Sequence, residues 1–236
     1  MNALHRTRIA LALAGVVALL AALLGVGNGR AGAETDKPIA APSWIAIEDQ
    51  FGDVRLCTLT AIGWDKANTN NPRGITSGHC ADSWGSGHKV YLSSGPSVEQ
   101  TDFSRQIGTV LKVLKKTEGD ASLIRFEKGV RTTTKVSLNG EPAQPVVGFL
   151  TLKEVDAMRP VLCSHGMTTG FACGAVRFVE DGLLSVDIPT APGDSGAGTF
   201  ARGPDGLYLA GQTVSKDGVG NPIESVVNDF GITWAA

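Results

Sequence analysis

The sequence lacks an excess of positive charge, and no long apolar run follows its first 26 residues. It contains 21 basic and 23 acidic residues, with a formal net charge of -2 at pH 7. This balance argues against a nucleic-acid partner. Transmembrane helices need about 20 apolar residues, so no membrane span is expected after Val26. Histidines number only four, which leaves few candidates for a catalytic base.

Residues 1–33 have the three parts of a secretory signal peptide. Basic residues stand near the start, an uncharged apolar stretch fills 9–26, and the small residues Ala31, Gly32 and Ala33 follow. Cleavage after Ala33 leaves 203 residues with 18 basic and 23 acidic side chains, a net charge of -5. We therefore expect a secreted or cell-envelope protein. The alternative is a retained anchor, since eighteen apolar residues could just span a bilayer.

The four cysteines form an even number in a chain that is predicted to be exported. They are Cys57, Cys80, Cys163 and Cys173. Two disulfides are therefore expected rather than free thiols or metal ligands. Four cysteines allow three pairings, and their number alone does not choose among them.

Short apolar runs separated by turn-forming residues predict an all-β protein. The 30 glycines of the chain also favour strands over helices. Regular spacing of short strands is typical of a barrel or sandwich. We divide the chain into an N-terminal arm at 34–44, a first half at 45–138 and a second half at 139–236, with the link at 135–145. A hairpin loop is expected at 65–73. The first strand of this hairpin is expected at 55–64, and its return strand ends at 76–80. Further strands are expected at 89–92, 106–114, 121–126, 146–150, 160–163, 170–179, 183–188, 198–200 and 207–214.

One short helix is predicted at the C terminus. Apolar residues recur there at three- and four-residue spacing, at Ile223, Val226, Val227 and Phe230. Asn221 is the expected N-cap, Pro222 occupies the first helical position, and Gly231 lies beyond the end. The pattern predicts a helix packed on the sheets.

Residues 192–197 read Pro-Gly-Asp-Ser-Gly-Ala and place Ser195 in a glycine-rich turn. Glycines at 193 and 196 let the backbone turn tightly and point N–H groups at an incoming carbonyl. Gly, Asp and Ser also favour ordinary surface turns. The segment is therefore a candidate site only if the chain also supplies a base and an orienting acid.

His79 and Asp120 are the best candidates for these two roles. Histidine can take the proton of a serine hydroxyl and return it to the leaving group, and His79 stands where a predicted strand ends. Asp120 immediately precedes the predicted strand at 121–126. The other histidines are His5 in the signal peptide, His88 in a Gly- and Ser-rich loop, and His165. An α/β-hydrolase needs its histidine after the serine, and none follows Ser195, so that fold is excluded.

Three segments resemble the signatures of chymotrypsin-like serine proteases. They are Thr-Ser-Gly-His-Cys at 76–80, Asp-Ala-Ser-Leu-Ile at 120–124 and Gly-Asp-Ser-Gly at 193–196. The segment 163–174, Cys-Ser-His-Gly-Met-Thr-Thr-Gly-Phe-Ala-Cys-Gly, is similar to a hairpin of the small bacterial branch of alpha-lytic protease and the streptogrisins. Residues 222–231 resemble the closing helix of that branch. The likeness runs from about Arg55 to the end.

The resemblance implies two six-stranded antiparallel β-barrels, at 45–138 and 139–236, with the site in the cleft between them. His79 and Asp120 would come from the first barrel and Ser195 from the second. The resemblance also implies the disulfides Cys57–Cys80 and Cys163–Cys173. It implies a monomeric serine endopeptidase that acts on proteins or peptides and needs no cofactor or metal.

The same resemblance assigns a role to each residue. Ser195 attacks the carbonyl carbon, His79 accepts and returns the proton, and Asp120 holds the imidazole. The N–H groups of Gly193 and Ser195 form the oxyanion hole. Ser215 and Thr190 would contact substrate. Residues 189–192 offer no acidic side chain to select Arg or Lys, so a small or apolar substrate side chain is expected.

Several positions depart from the family pattern. Ala197 replaces the usual second glycine after the serine, and Lys-Asp at 216–217 replaces the usual small or glycine-bearing continuation. Ser164 stands where the bacterial branch has an arginine that pairs with the aspartate before the nucleophile, here Asp194. His165 is the candidate replacement partner. These departures permit a competing hypothesis, a trypsin-fold protein at the cell surface that binds a partner without cutting it.

Overall fold

The computed structural model of the chain describes residues 37–81, 85–115, 119–180, 182–215 and 219–234. The predicted signal peptide lies outside these residues. Within them the chain forms 18 β-strands and two α-helices, so the predicted all-β class is confirmed. No helix among the described residues is long and apolar enough to cross a membrane.

Eight antiparallel strands form the first sheet. They are β2 (Trp44–Glu48), β3 (Val54–Thr58), β4 (Ala61–Asp65), β5 (Asn68–Ser77), β6 (Lys89–Ser93), β7 (Thr101–Leu114), β8 (Ala121–Phe126) and β18 (Ile232–Thr233). Their spatial order is β18-β4-β5-β8-β7-β6-β2-β3. The C-terminal strand β18 therefore pairs with β4 of the first half of the chain.

Ten strands form the second sheet. They are β1 (Ile39–Ala41), β9 (Thr132–Val136), β10 (Gln144–Phe149), β11 (Leu162–Gly166), β12 (Gly170–Gly174), β13 (Val176–Glu180), β14 (Leu183–Val186), β15 (Gly198–Arg202), β16 (Leu207–Thr213) and β17 (Val219–Pro222). The main path is β1-β9-β10-β16-β15-β11-β12, and β17 links β16 to the pair β14 and β13. Two pairs, β1 with β9 and β10 with β16, are parallel.

The sheets differ from two six-stranded antiparallel barrels in strand number and in these two parallel pairs. Short strands at the edges account for part of the difference, because β1 and β18 come from the two ends of the described chain. The predicted loop at 65–73 is also wrong, since residues 68–73 belong to β5. Pro72 pairs there with Trp64, and Arg73 Nη2 lies 2.9 Å from Asp65 Oδ2. Backbone pairing and this ion pair outweigh the turn preference of the Asn and Pro side chains.

Helix α1 (Leu152–Met158) was not expected from the sequence. A signal for it is nevertheless present, because Thr151 and Glu154 form a capping box. The Thr151 N–H and hydroxyl both donate to the Glu154 carboxylate. These hydrogen bonds favour the ionised form and lower the pKa of Glu154.

The predicted terminal helix is present as α2 (Ile223–Phe230). Its four apolar residues are the buried ones, and Gly231 ends it in the left-handed conformation with φ +61°. The predicted N-cap is wrong by one residue. Asn221 remains in β17, paired with Gln212, and Pro222 is the N-cap instead. Continued sheet pairing delays the start of the helix.

A shared apolar core lies between the two sheets. Fully buried Ile75 and Ile124 of the first sheet belong to the same cluster as Phe200 and Leu209 of the second. Backbone hydrogen bonds also join the two halves, among them one from Thr58 N–H to the residue 195 carbonyl. The candidate site lies where these halves meet.

Candidate active site

The candidate base and the candidate orienting acid are neighbours at one edge of the first sheet. β5 and β8 pair with Ser77 opposite Ala121, so the residue after β5 lies beside the residue before β8. His79 lies in a 3₁₀ turn, Gly78–Cys80, directly after β5. Its ring Nδ1 is 2.9 Å from Asp120 Oδ2, and its backbone N–H donates to Asp120 Oδ1 at 2.6 Å. The fold brings these two predicted residues together.

Asp120 is buried, and hydrogen bonds hold both its carboxylate and its backbone carbonyl. Its side chain is 2% exposed, whereas that of His79 is 36% exposed. Gln212 Nε2, from the second sheet, donates to the Asp120 carbonyl oxygen at 2.7 Å. Thr60 Oγ1 lies 3.0 Å from Gln212 Oε1. Gln212 and Thr60 were not identified in the sequence, because nothing in the local pattern marks a contact between residues so far apart in the chain.

The loop that carries Ser195 is bound to the first sheet through its backbone. Thr58 N–H donates to the Ser195 carbonyl oxygen at 2.8 Å. Thr60 Oγ1 donates to the Gly196 carbonyl oxygen at 2.5 Å, and the Gly196 N–H donates to the Thr213 carbonyl at 2.8 Å. The loop is therefore fixed against both sheets, and Ser195 within it is half-buried.

Both disulfides implied by the resemblance are present, Cys57–Cys80 and Cys163–Cys173. Cys57 precedes Thr58, which binds the serine loop, and Cys80 ends the turn that carries the candidate base. The first disulfide thus links these two parts of the site. The second joins β11 to β12 in register.

The Ser195 hydroxyl makes no hydrogen bond to the His79 ring in the described part of the chain. Two backbone donors beside it are also free, because the N–H groups of Gly193 and Ser195 donate to no other described residue. Gly193 has φ +99°, which favours glycine. A Cβ there would lie 2.4 Å from Trp44 Cη2 and 2.5 Å from Thr168 Oγ1. Only glycine fits at this position.

Asp194 is buried, with 1% of its surface exposed, and its carboxylate accepts four hydrogen bonds. Oδ1 accepts from the N–H groups of Thr168 at 2.7 Å and Thr169 at 3.2 Å. Oδ2 accepts from the Thr169 hydroxyl and the Ala191 N–H, both at 2.8 Å. A Cβ at Gly166 would lie 2.3 Å from Oδ1. The absence of a side chain there lets the hairpin turn reach the carboxylate.

The predicted pairing of His165 with Asp194 is therefore wrong. Backbone N–H groups of the turn surround the carboxylate, and the buried Nδ1 of His165 has no hydrogen-bond partner among the described residues. Burial lowers the pKa of His165, and the negative charge of Asp194 partly opposes that shift. Among the described residues, no three His, Cys, Asp or Glu side chains are grouped to hold a metal ion.

Comparison with solved structures gives a common fold. Thermobifida fusca protease A shares 20% identity, with 84% of this chain and 98% of that chain covered and a TM-score of 0.60. An alpha-lytic protease homolog shares 18% identity, with 84% of this chain and 100% of that chain covered and a TM-score of 0.57. Cellulomonas bogoriensis chymotrypsin shares 19% identity, with 83% of this chain and 96% of that chain covered and a TM-score of 0.53. The chain has the chymotrypsin-like fold. No protein-family model and no curated protein sequence matches it.

Within the chymotrypsin-like fold, a small cavity lies beside the serine loop. The volume accessible to water in it is about 10 Å³, which is about the space of one water molecule. Thr190 lines it, and the Thr190 hydroxyl donates to the carbonyl oxygen of exposed Ser215 at 3.1 Å. Among the described residues of the lining, Asp194 is the one that is charged. Apolar groups and glycines form much of the wall, among them Gly166, Gly170, Ala172, Ile188, Pro189 and Ala197.

Two of the departures from the family pattern fit this arrangement. Ala197 is 1% exposed, its N–H donates to the Asp194 carbonyl at 2.8 Å, and its own carbonyl accepts from Thr213 N–H at 2.9 Å. The methyl group therefore leaves the backbone pairing intact. Ser164 is buried in the cavity wall. Asp194 has other partners than an arginine from this position, because its carboxylate accepts four hydrogen bonds from residues 168, 169 and 191. Residues 216–217 lie outside the described residues.

Proposed function

We propose that the chain is a serine endopeptidase that hydrolyses peptide bonds through an acyl-enzyme intermediate. The observation that carries the proposal is the double hydrogen bond between His79 and buried Asp120, at 2.9 and 2.6 Å, next to a serine loop with two free N–H donors. The solved structures that share the fold are named as proteases. Fold alone does not give function, so the proposal rests on the site.

In this mechanism Ser195 Oγ attacks the carbonyl carbon of the substrate while His79 Nε2 takes its proton. Asp120 holds Nδ1–H and so fixes which ring nitrogen is free to act as the base. The negative oxygen that forms is stabilised by the N–H groups of Gly193 and Ser195. His79 then gives the proton to the leaving amine, and water releases the acyl group by the same steps. Catalytic hydrogen bonds often form only with substrate bound, which is consistent with a Ser195 hydroxyl that is unbonded to the ring.

The proposal includes a preference for a small side chain before the cleaved bond. The cavity lined by Asp194 and Ala197 of the serine loop has room for about one water molecule, which fits a methyl group and excludes an aromatic ring. Both oxygens of Asp194 already accept two hydrogen bonds. A lysine or arginine would therefore find no free oxygen on the Asp194 carboxylate.

The proposal also places the protein outside the cytoplasm. Two disulfides persist in oxidising compartments and are rare in the cytosol, and both are closed here. The signal peptide predicted at 1–33 would deliver the chain there. Sequencing the N terminus of exported protein tests cleavage after Ala33, and a mature chain that starts at Met1 would indicate the retained anchor instead. Recovery of the protein from the cytoplasm alone would contradict the location.

A fluorophosphonate probe tests the activity directly, because it reacts with activated serines. We expect the purified protein to be labelled at neutral pH, and Ser195→Ala and His79→Ala to remain unlabelled. Ser43→Ala is the matched control, since Ser43 donates to the Ala40 carbonyl in the arm, and it should label normally. Absence of labelling in the wild-type protein would refute the enzyme proposal and favour a non-cutting binding protein.

Peptide p-nitroanilides with one varied residue before the cleaved bond test the preference. We expect kcat/KM to be highest for alanine and at least about tenfold lower for phenylalanine, lysine and glutamate, since a poorly accommodated group costs about 1–3 kcal/mol. Equal kcat/KM values for alanine and phenylalanine would contradict the proposed preference for a small side chain, but they would not contradict the proposal that the protein is a serine endopeptidase.

A further inference from the structure

We propose that Thr168 is a positioning residue whose hydroxyl aims the Gly193 N–H at the oxyanion. The inference rests on the proposed function and adds to it a residue outside the triad. Its basis is one hydrogen bond, from Thr168 Oγ1 to the Pro192 carbonyl oxygen at 2.7 Å. Thr168 itself stands in the turn between β11 and β12, far from the serine loop in sequence.

The geometry of the peptide unit connects that carbonyl to the catalytic donor. The Pro192 C=O and the Gly193 N–H belong to one planar trans peptide, in which the two groups point in opposite directions. A hydroxyl that holds the carbonyl therefore fixes the direction of the N–H. Thr168 acts on the donor from the side away from the substrate.

This peptide unit depends on Thr168 more than its neighbours do. The next unit is held at both ends, because the Gly193 carbonyl accepts from Thr58 Oγ1 at 2.8 Å and the Asp194 N–H donates to Ala191 at 3.0 Å. The Asp194 carbonyl, opposite the second oxyanion donor, accepts from a backbone N–H at 2.8 Å. Among the described residues, the Pro192–Gly193 unit has no hydrogen bond other than that from Thr168.

The lack of a second hydrogen bond on this peptide unit matters because residue 193 is a glycine. Gly193 has no Cβ to restrict rotation, and glycine populates positive and negative φ about equally. Without the hydroxyl of Thr168, the peptide could rotate and carry its N–H away from the oxyanion. Trp44 packs on the same glycine through its ring carbons Cη2 and Cζ3, which donate no hydrogen bond to the carbonyl.

The position of Thr168 is itself fixed by its backbone, which donates to Asp194 Oδ1 at 2.7 Å. Replacing the side chain leaves that hydrogen bond in place. The two adjacent threonines therefore have separate tasks. The Thr169 hydroxyl donates to the Asp194 carboxylate, while that of Thr168 donates to the peptide that precedes the catalytic loop.

The test compares Thr168→Val, which keeps the shape and loses the hydroxyl, with Thr168→Ser, which keeps the hydroxyl. We expect Thr168→Val to lower kcat by about 10- to 100-fold with KM within about twofold, since losing one oxyanion donor outright costs about 100- to 1,000-fold. The inhibition constant of a peptide boronate, which mimics the tetrahedral state, should rise by a similar factor. Thr168→Ser should recover most of kcat.

Thr69→Val is the matched control, because Thr69 is exposed in β5, about 26 Å along the strand from the site. It should keep wild-type kcat. Urea unfolding of each variant separates loss of fold from loss of alignment, and Thr168→Ala provides a second variant without the hydroxyl. Wild-type kcat in Thr168→Val, or equal losses in the Val and Ser variants, would overturn the inference. Absence of probe labelling in the wild-type protein would instead overturn the proposed function.

Discussion

Replacing Asp194 by asparagine is the sharpest test of how the serine loop is held. The carboxylate accepts four hydrogen bonds, two at each oxygen. An amide nitrogen in the Oδ1 position would face the N–H groups of Thr168 and Thr169, and both hydrogen bonds would be lost. In the Oδ2 position it would face the Ala191 N–H, while the Thr169 hydroxyl could rotate and accept. The second orientation is therefore the less costly.

The magnitude follows from that orientation. A hydrogen bond to a charged group contributes about 1.5–3 kcal/mol. The substitution loses the hydrogen bond from the Ala191 N–H and removes the negative charge from the acceptor of the other three, so the free energy of unfolding should fall by about 3 kcal/mol. That is a large part of the 5–15 kcal/mol stability typical of a domain. Activity should fall as well, because the loop between residues 191 and 195 carries the Gly193 donor and the nucleophile.

Urea unfolding and kcat/KM measure the two effects separately. Asp205→Asn is the matched control, since Asp205 is exposed in a turn of the second half and should change the free energy of unfolding by no more than about 0.5 kcal/mol. A loss below about 1 kcal/mol in Asp194→Asn, together with unchanged kcat/KM, would show that the four hydrogen bonds do not hold the loop.

Three further predictions concern single residues. Asp120→Asn should lower kcat by about 10⁴-fold with KM little changed; a loss below tenfold in peptide hydrolysis would argue against its orienting role. Gly193→Ala should lower kcat by at least about 100-fold, because the added Cβ meets Trp44 Cη2 at 2.4 Å, and wild-type kcat would refute this. Burial lowers the pKa of His165, so the unfolded chain binds its proton more readily than the folded chain does. Its stabilising contribution is complete above the ordinary value of about 6.5 and is lost as the pH falls from there through the lowered value. Unfolding free energies at pH 7.5 and 5 should therefore differ less in His165→Asn than in the wild type, and equal differences would contradict the prediction.

The local patterns in the sequence predicted much of the secondary structure. The strand at 121–126 and the four buried residues of α2 were predicted correctly, because apolar periodicity is a local property. The loop at 65–73 and the N-cap at Asn221 were wrong, since long-range sheet pairing overrode local turn and cap preferences. Helix α1 was missed, although its capping box was readable at Thr151.

The sequence alone determined the identity of the candidate triad, its order along the chain and, through family resemblance, both disulfide pairings. It could do so because these residues stand in short contiguous motifs. Only the tertiary structure decided what holds the motifs in position. The partners of Asp194, the support of Asp120 by Gln212, and the contact of Thr168 with Pro192 join residues from separate strands and turns. Such contacts depend on how the chain packs, and no local sequence pattern records them.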